Sequence, residues 1–187
     1  MIAAFRYLEA HLEHDRFVLH PFIDGLSNHL TSDDLKRTVS VPEESSEVDL
    51  SSVLLVEGDF TTAFADRASQ FDVIVTHFFI DTARNLLAYI DTIHRLLRPG
   101  GYWINFGPLL YGSAPFVQLS LDELILVAEA MGFAFEEMGD VCGDKTFSDA
   151  KGGLGVLRSK HAAYGFNDLE LRKNTYLAQA WLARKAR

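Results

Sequence analysis

The sequence predicts an α/β fold built around one strand–helix–strand unit. The apolar segment at residues 71–79 is too short for a full helix and rich in Val, Ile and Phe, which is typical of a strand buried on both faces. Leu and Ile then recur at helical spacing over residues 86–97, and a second apolar segment covers residues 102–106. This order indicates a right-handed βαβ crossover, so we expect a mostly parallel sheet.

Further segments carry the signals of strands and helices. Residues 53–56, 133–138 and 176–185 are apolar enough for strands, and residues 2–14 have apolar side chains at helical spacing. Ser120 and Glu123 form the S-x-x-E pattern of a capping box, which predicts a helix from there to Gly132. The sequence Pro-Gly-Gly at residues 99–101 is expected to end the helix at residues 86–97, with basic residues in its last turn.

Two long segments are predicted to be connections. Residues 20–50 are polar and rich in turn-forming residues, and residues 139–160 are glycine-rich and charged, as in an exposed loop. The glycines at residues 152–155 lack the preceding strand and following helix of a phosphate-binding turn. We therefore expect no nucleotide to bind there.

Composition and charge narrow the classes of function. The 187 residues, 48% of them hydrophobic, fit one folded domain over residues 1–187. A formal net charge of −9 disfavours nucleic acid and anionic membranes as partners and suits an amine or imidazole substrate. One cysteine, Cys142, and the lack of a long apolar segment or signal peptide predict a cytoplasmic protein, with the nucleus left open. His11 and His14 have no matching ligands at metal-site spacing, so we expect no metal.

Polar residues follow both strands of the central unit. In open α/β sheets, ligands bind outside the carboxyl ends of the strands. His77 and Asp81 stand at the end of the first strand, and Asn105, Gly107 and Tyr111 at the end of the second. Two compatible roles are open for Asp81: a cap for the following helix or a carboxylate that binds a ligand. His77 is either structural or a group that handles a proton.

Three motifs carry a resemblance to a known family. FFIDTARN at residues 78–85, LRPGGYWIN at residues 97–105 and GPLLY at residues 107–111 resemble the carnosine N-methyltransferase family, which uses S-adenosylmethionine. Ser27-Asn28 and the VSVPE sequence at residues 39–43 match further family elements. The resemblance implies a Rossmann-like methyltransferase sheet, mostly parallel, in which the strand at residues 176–185 runs antiparallel to its neighbours.

The resemblance also implies roles for particular residues. Asp59 would accept from the adenine amino group and Phe60 would pack on the ring, although Asp59 could instead cap a short helix. Asp81 would bind the basic end of the substrate and orient an imidazole for methyl transfer, with Tyr111, Tyr164 and Tyr176 also belonging to the substrate pocket. Without the family, core packing with a satisfied hydroxyl is the favoured interpretation of both Tyr164 and Tyr176.

The sequence departs from the family pattern in two places. Gly112 stands where the carnosine enzymes have a histidine that helps to recognise the imidazole, so the acceptor is predicted to be carnosine or a related imidazole or amine. The first two strands of the methyltransferase sheet, with the glycine-rich turn and the acidic residue that binds the ribose, are expected to be absent. S-adenosylmethionine should then bind weakly to the isolated chain.

Three hypotheses follow from this incomplete sheet. The first is an S-adenosylmethionine-dependent N-methyltransferase in truncated form. The second is a non-catalytic remnant that acts as an interaction subunit, and the third is a remnant repurposed as an enzyme of another class. An uncovered edge of a buried-type strand favours association, so we also expect a homodimer or a partner chain to cover it.

Overall fold

The computed structural model describes residues 2–11, 17–41, 52–112, 116–165 and 167–186. The chain divides into two compact units: residues 1–57 with 165–174, and residues 58–164 with 175–187. The helices are α1 (Ile2–His11), α2 (Ser32–Leu35), α3 (Phe60–Ala63), α4 (Leu86–Leu96), α5 (Leu121–Ala130) and α6 (Gly153–Val156), with 3-10 turns at Ile80–Thr82 and Asp140–Cys142. The strands are β1 (Phe17–Leu19), β2 (Val39–Val41), β3 (Phe71–His77), β4 (Leu97–Gly107), β5 (Phe133–Glu136), β6 (Asp144–Lys145), β7 (Arg158–Ala163) and β8 (Thr175–Lys185).

The first unit contains α1, α2 and the antiparallel pair β1–β2. The helix predicted at residues 2–14 is confirmed over residues 2–11, and the remainder lies outside the described residues. The segment predicted as a polar connection holds both β2 and α2, the latter started by a capping box between Thr31 and Asp34. Arg37 donates to the side-chain oxygen of Asn167 at 2.7 Å, and this bond links residues 1–57 of the unit to residues 165–174.

The second unit is built on a mixed sheet, six-stranded within the described residues, with the order β3-β4-β8-β7-β6 and β5 also paired to β8. The α/β class is confirmed, and so is the antiparallel C-terminal strand, since β8 runs antiparallel to β4, β5 and β7. Fewer of the strand pairs are parallel than predicted. Only β3 and β4 pair in parallel among the described strands, because β8 contributes a long antiparallel ladder on both of its sides.

Helices α4 and α5 cover one face of this sheet. Their buried residues join Trp103 and Trp181 in a single apolar core, where the two indole rings meet edge to face at 5.2 Å. On the opposite face of β3, Val73 and Val75 are 45% and 63% exposed. The described helices therefore bury the sheet from one side, as expected for apolar stripes at helical spacing.

A chain of hydrogen bonds runs through the core between three strands. The Thr76 hydroxyl accepts from the Trp103 indole N–H at 2.8 Å and donates to the Asn105 side-chain oxygen at 2.8 Å. The Asn105 amide donates to the carbonyl of Gln179 at 3.1 Å, and the Gln179 side chain accepts from Thr146 at 2.7 Å. Polar groups that would be costly to bury alone are thus satisfied across β3, β4 and β8.

The prediction of a strand at residues 53–56 is wrong. These residues are described but have no ladder partner among the described residues, and Val53 and Leu54 are 50% and 71% exposed. A strand requires a neighbour for its backbone groups, which apolar composition alone does not supply. The outer edge of β3 is also unpaired within the described part of the chain. The expectation that a second copy or another chain covers this edge stays a prediction.

The predicted end of α4 also needs correction. The helix ends at Leu96 and β4 begins at once, so the Pro-Gly-Gly sequence lies inside the strand. The ladder shifts register there, and Gly100 has a φ of +77°, as a bulge requires. The last carbonyls of the helix are bound instead by Lys185 of β8, which donates to His94 and Leu97 at 2.7 and 2.8 Å.

The glycine-rich loop predicted at residues 139–160 holds more structure than expected. It contains β6, α6 and the start of β7, whose residues Arg158 and Ser159 are buried. Charged residues hid this strand from the apolar pattern. Both terminal guanidinium nitrogens of Arg158 have partners, since the side chain donates to the Met138 carbonyl at 2.9 Å and pairs with Asp140 at 3.0 Å, whereas its buried Nε has none among the described residues. The capping box at Ser120 and the strand predicted at residues 133–138 are confirmed, the latter over β5.

Strand β3 ends in a residue with left-handed backbone geometry. Phe78 has a φ of +49°, and its N–H donates to the Phe106 carbonyl at 2.9 Å. A side chain at Gly107 would place its Cβ 3.0 Å from the backbone nitrogen and Cα of Phe78. The sharp turn after β3 therefore depends on the close approach that glycine permits.

No helix of the described residues has the length and apolar character needed to cross a membrane.

We predict that Thr76→Val lowers the free energy of unfolding by about 2–4 kcal/mol. Valine keeps the shape of threonine but removes both hydrogen bonds, and each buried polar group left unsatisfied costs about 1–3 kcal/mol. Urea unfolding measures the change. Thr175→Val makes the same substitution at an exposed position of β8 and should cost less than about 0.5 kcal/mol. Equal losses in the two variants would contradict the role of the buried network.

We predict that Gly107→Ala lowers the free energy of unfolding by about 1–3 kcal/mol, because the added methyl group would lie 3.0 Å from the Phe78 backbone. Gly112→Ala is the matched control: it is exposed and no atom lies within 4 Å of the new Cβ, so stability should stay within about 1 kcal/mol of the parent. Thermal unfolding of both variants checks this. A fully stable Gly107→Ala protein would show that the turn at Phe78 is free to shift.

Candidate functional site

Asp81 is a buried carboxylate in the 3-10 turn after β3, and its exposed fraction is 7%. Its predicted role as a helix cap is wrong, because Asn85 caps α4 by accepting from the Ala88 N–H at 3.3 Å. The turn directs Asp81 instead toward Leu110, whose N–H donates to it at 3.0 Å. Burial raises the pKa of Asp81 above 3.8, and the bond from Leu110 opposes that rise.

Tyr111 lies beside Asp81 in the segment that follows β4. Its hydroxyl donates to the Leu119 carbonyl at 2.7 Å. Burial raises the pKa of Tyr111, and the negative charges of Asp81 and Glu123 add to the rise. Two of the sequence-predicted substrate residues are therefore close enough for the charge of Asp81 to affect the Tyr111 hydroxyl.

Tyr164 and Tyr176 form a second group around Phe78. Their ring centroids are 5.6 Å apart, and Tyr164 stacks on Phe78 at 5.2 Å with an interplanar angle of 19°. Tyr164 is 52% exposed, so it is not a core residue. His77 is also exposed and stacks on Phe106 at 5.9 Å. Exposed aromatic faces of this kind can pack on a planar or cationic ligand.

A cleft of about 490 Å³ lies between α3 and the start of α4. Three rings form its apolar wall: Phe79 and Tyr89 stack at 5.1 Å, and Phe60 meets each of them edge to face at 5.4 Å. The other lining residues are Gly58, Asp59, Thr61, Thr82, Arg84, Asn85 and Ala88. An aromatic lining with polar groups at its margin suits a flat heterocycle.

Asp59 and Phe60, the two residues predicted to bind adenine, both line this cleft. Asp59 also caps α3, accepting from the N–H of Thr61 at 2.8 Å and from its hydroxyl at 2.7 Å. These bonds lower the pKa of Asp59. The carboxylate is therefore ionised at neutral pH and held in a fixed direction. The capping role of Asp59 is confirmed, and its adenine-binding role stays a prediction.

Some residues lie elsewhere than the sequence suggested. Asn105 is 1% exposed and belongs to the core network rather than to a ligand site. The sequence pattern did not indicate that Phe79 and Tyr89 line a cleft, because Phe79 is the end of an apolar run and Tyr89 is one residue of an amphipathic helix. The available signal was a tyrosine in the first turn of α4 that lies outside the buried stripe of leucines and isoleucines.

The remaining predicted features are partly described. Among the described residues, no cluster of His, Cys, Asp and Glu side chains could hold a metal ion, and His14 lies outside them. Ser27-Asn28 is described, and the Asn28 carbonyl accepts from the Leu171 N–H at 2.7 Å within the first unit. The last two residues of the element at 39–43 lie outside the described part.

Sequence comparison gives curated relatives that share one name. The carnosine N-methyltransferase of Schizosaccharomyces pombe is 37% identical over 140 residues, which cover 65% of this chain and 38% of that protein. The carnosine N-methyltransferase of Rattus norvegicus is 33% identical over 180 residues, 92% of this chain and 40% of that protein. The enzyme of that name from Dictyostelium discoideum is 40% identical over 142 residues, 67% of this chain and 29% of its own length. The chain thus spans less than half the length of these curated relatives.

Structural comparison gives more distant likenesses. A solved S-adenosylmethionine-dependent methyltransferase from Methanosarcina mazei shares 14% identity, covers 64% of this chain and 61% of its own, and has a TM-score of 0.42. The sequence model described as carnosine N-methyltransferase, in contrast, matches residues 1–187. A match over the whole chain shows that this protein belongs to the carnosine N-methyltransferase family.

Proposed function

We propose that the chain supplies the acceptor site, and the adenine end of the cofactor site, of an S-adenosylmethionine-dependent N-methyltransferase. Its acceptor would be carnosine or a related imidazole or amine. The single observation that carries the proposal is Asp81, a carboxylate that is 7% exposed and lies at the carboxyl end of β3. A buried carboxylate without an ion pair among the described residues has a strong preference for a cationic or N–H-donating ligand.

Tyr111, Tyr164 and Tyr176 would complete the acceptor site. Tyr111 lies next to Asp81, while Tyr164 and Tyr176 pack on Phe78, three residues before Asp81 in the chain. Their rings offer faces to an imidazole and their hydroxyl groups offer hydrogen bonds. The name of the relatives supports carnosine as the acceptor.

Gly112 keeps the class of acceptor broader than carnosine. It is exposed, and the space around its Cβ position is open. The chain therefore offers no imidazole-binding side chain at the position where the resemblance places a histidine. A related imidazole or amine that needs no such contact would fit the same site.

The residues of the α3–α4 cleft fit an adenine ring. Phe60, Phe79 and Tyr89 provide an aromatic lining, and the ionised carboxylate of Asp59 lines the same cleft as an acceptor for an amino group. S-adenosylmethionine, when bound, supplies a methyl group activated by its sulfonium.

Asp81 would act by orienting the acceptor. Its carboxylate accepts the N–H of one imidazole nitrogen, so the other nitrogen stays neutral and keeps the lone pair that attacks. The N–H of Leu110 fixes the direction of the carboxylate before any ligand arrives. The chain thus contributes alignment of the acceptor rather than strong acid–base catalysis. A cytoplasmic location is also part of the proposal.

We predict that Asp81→Asn weakens carnosine binding by about 1.5–3 kcal/mol, the size of a charge-assisted hydrogen bond. Asparagine still accepts from the Leu110 N–H, so the fold should survive. Isothermal calorimetry measures the affinity. Asp91→Asn removes an equal charge from an exposed position of α4 and should bind like the parent.

The same variant gives a pH test. The ionised form of Asp81 binds the acceptor, so affinity should fall as pH drops through its pKa, which burial places above 3.8. The ratio of parent to Asp81→Asn affinity cancels the titration of carnosine itself. A ratio near one at every pH would leave Asp81 with a structural role only.

We predict that Phe60→Leu weakens S-adenosylmethionine binding by about 1–3 kcal/mol, because leucine keeps apolar bulk but removes the ring on which a base stacks. Titration followed by calorimetry gives the dissociation constants. Phe22→Leu, in the first unit, removes a ring that does not line the cleft and should have no effect. If both variants bind like the parent, the cleft is not the adenine site.

A further inference from the structure

The α3–α4 cleft contains a positive charge that the proposed function does not use. Arg84 lines the cleft and is exposed. Its carbonyl accepts from the Phe116 N–H at 2.7 Å, and its guanidinium carbon lies 5.5 Å from the centroid of the Phe116 ring. The side chain is thus placed by an aromatic contact, which leaves the N–H donors of the guanidinium free for a ligand.

Within the described residues, no carboxylate lies at ion-pair distance from Arg84. Some other arginines are paired: Arg98 pairs with Asp72, and Arg158 pairs with Asp140. The chain has a formal net charge of −9, so acidic partners are plentiful elsewhere on it. Arg84 therefore brings to the lining of the cleft a positive charge that no described carboxylate pairs with.

Asp59 lines the same cleft, but within the described residues it forms no ion pair with Arg84. Its Oδ1 atom is engaged by both the N–H and the hydroxyl of Thr61. The two charged residues come from different elements, Asp59 from the start of α3 and Arg84 from the segment before α4. The cleft therefore presents an aromatic wall, a fixed acceptor and a free cation.

We propose that Arg84 is an anion-binding residue of this cleft, so that its preferred ligand is an adenosine that carries an anionic group. The inference rests on the proposed adenine site. It adds an anionic group to the adenosine that this site would bind. Arginine suits this role because its planar guanidinium bonds carboxylate and phosphate groups through two parallel N–H donors. The anionic group is either the phosphate of a nucleotide or the carboxylate of an amino-acid extension.

Calorimetric titration with three probes tests the proposal. Adenosine carries no charged group, adenosine monophosphate carries a phosphate, and S-adenosylhomocysteine carries a carboxylate. We expect at least one charged probe to bind about three- to tenfold more tightly than adenosine. Arg84→Gln should remove that difference while leaving adenosine affinity unchanged. Raising the salt concentration should shrink the difference in the parent protein.

Arg67→Gln is the matched control, because Arg67 is an exposed arginine of the same unit that does not line the cleft. It should bind all three probes like the parent. A gain for the phosphate probe alone identifies a nucleotide ligand, and a gain for the carboxylate probe alone identifies the amino-acid extension.

Two results would overturn the inference. If the three probes bind equally, or if Arg84→Gln leaves the difference intact, Arg84 does not bind the anion, and the adenine site itself still stands. If adenosine and both charged probes fail to bind, the anion subsite and the proposed adenine site are both wrong.

Discussion

The buried hydroxyl of Thr76 is the group on which the sheet depends. It satisfies the indole N–H of Trp103 and the side-chain oxygen of Asn105, and Asn105 in turn reaches the backbone of β8. A shift of β3 by one residue would move Thr76 to the other face and leave two buried polar groups without partners. The network therefore fixes the register of β3 against β4, and with it the position of everything that follows β3.

The register of β3 determines where the side chains of residues 78–81 lie, because these residues follow the strand directly. Phe78 turns with left-handed geometry and packs on the tyrosines of the candidate acceptor site. Phe79 points to the α3–α4 cleft, where it stacks on Tyr89. Asp81 is buried against the Leu110 N–H. Four successive residues therefore place an aromatic face, a cleft wall and a carboxylate.

Each of the two candidate sites contains a charged side chain, and the two charges are opposite in sign. Asp81 carries the negative group of one, and Arg84, three residues later, carries the positive group of the other. Burial keeps water from screening the first, whereas the second is exposed and its guanidinium lies against an aromatic ring. The two side chains therefore offer charges of opposite sign at neighbouring positions, one buried and one exposed.

The sequence by itself determined that α4, α5, β3, β4 and β8 exist, because helical spacing, a capping box and short apolar runs mark buried helices and strands, although β4 begins earlier than predicted. The motifs alone determined the family. Only the tertiary structure decided that residues 53–56 are unpaired, that Asp81 faces Leu110 rather than a helix end, and that Lys185 binds the end of α4. Each of these depends on contacts between residues far apart in the chain, and local spacing carries no information about which distant backbone group will be within reach.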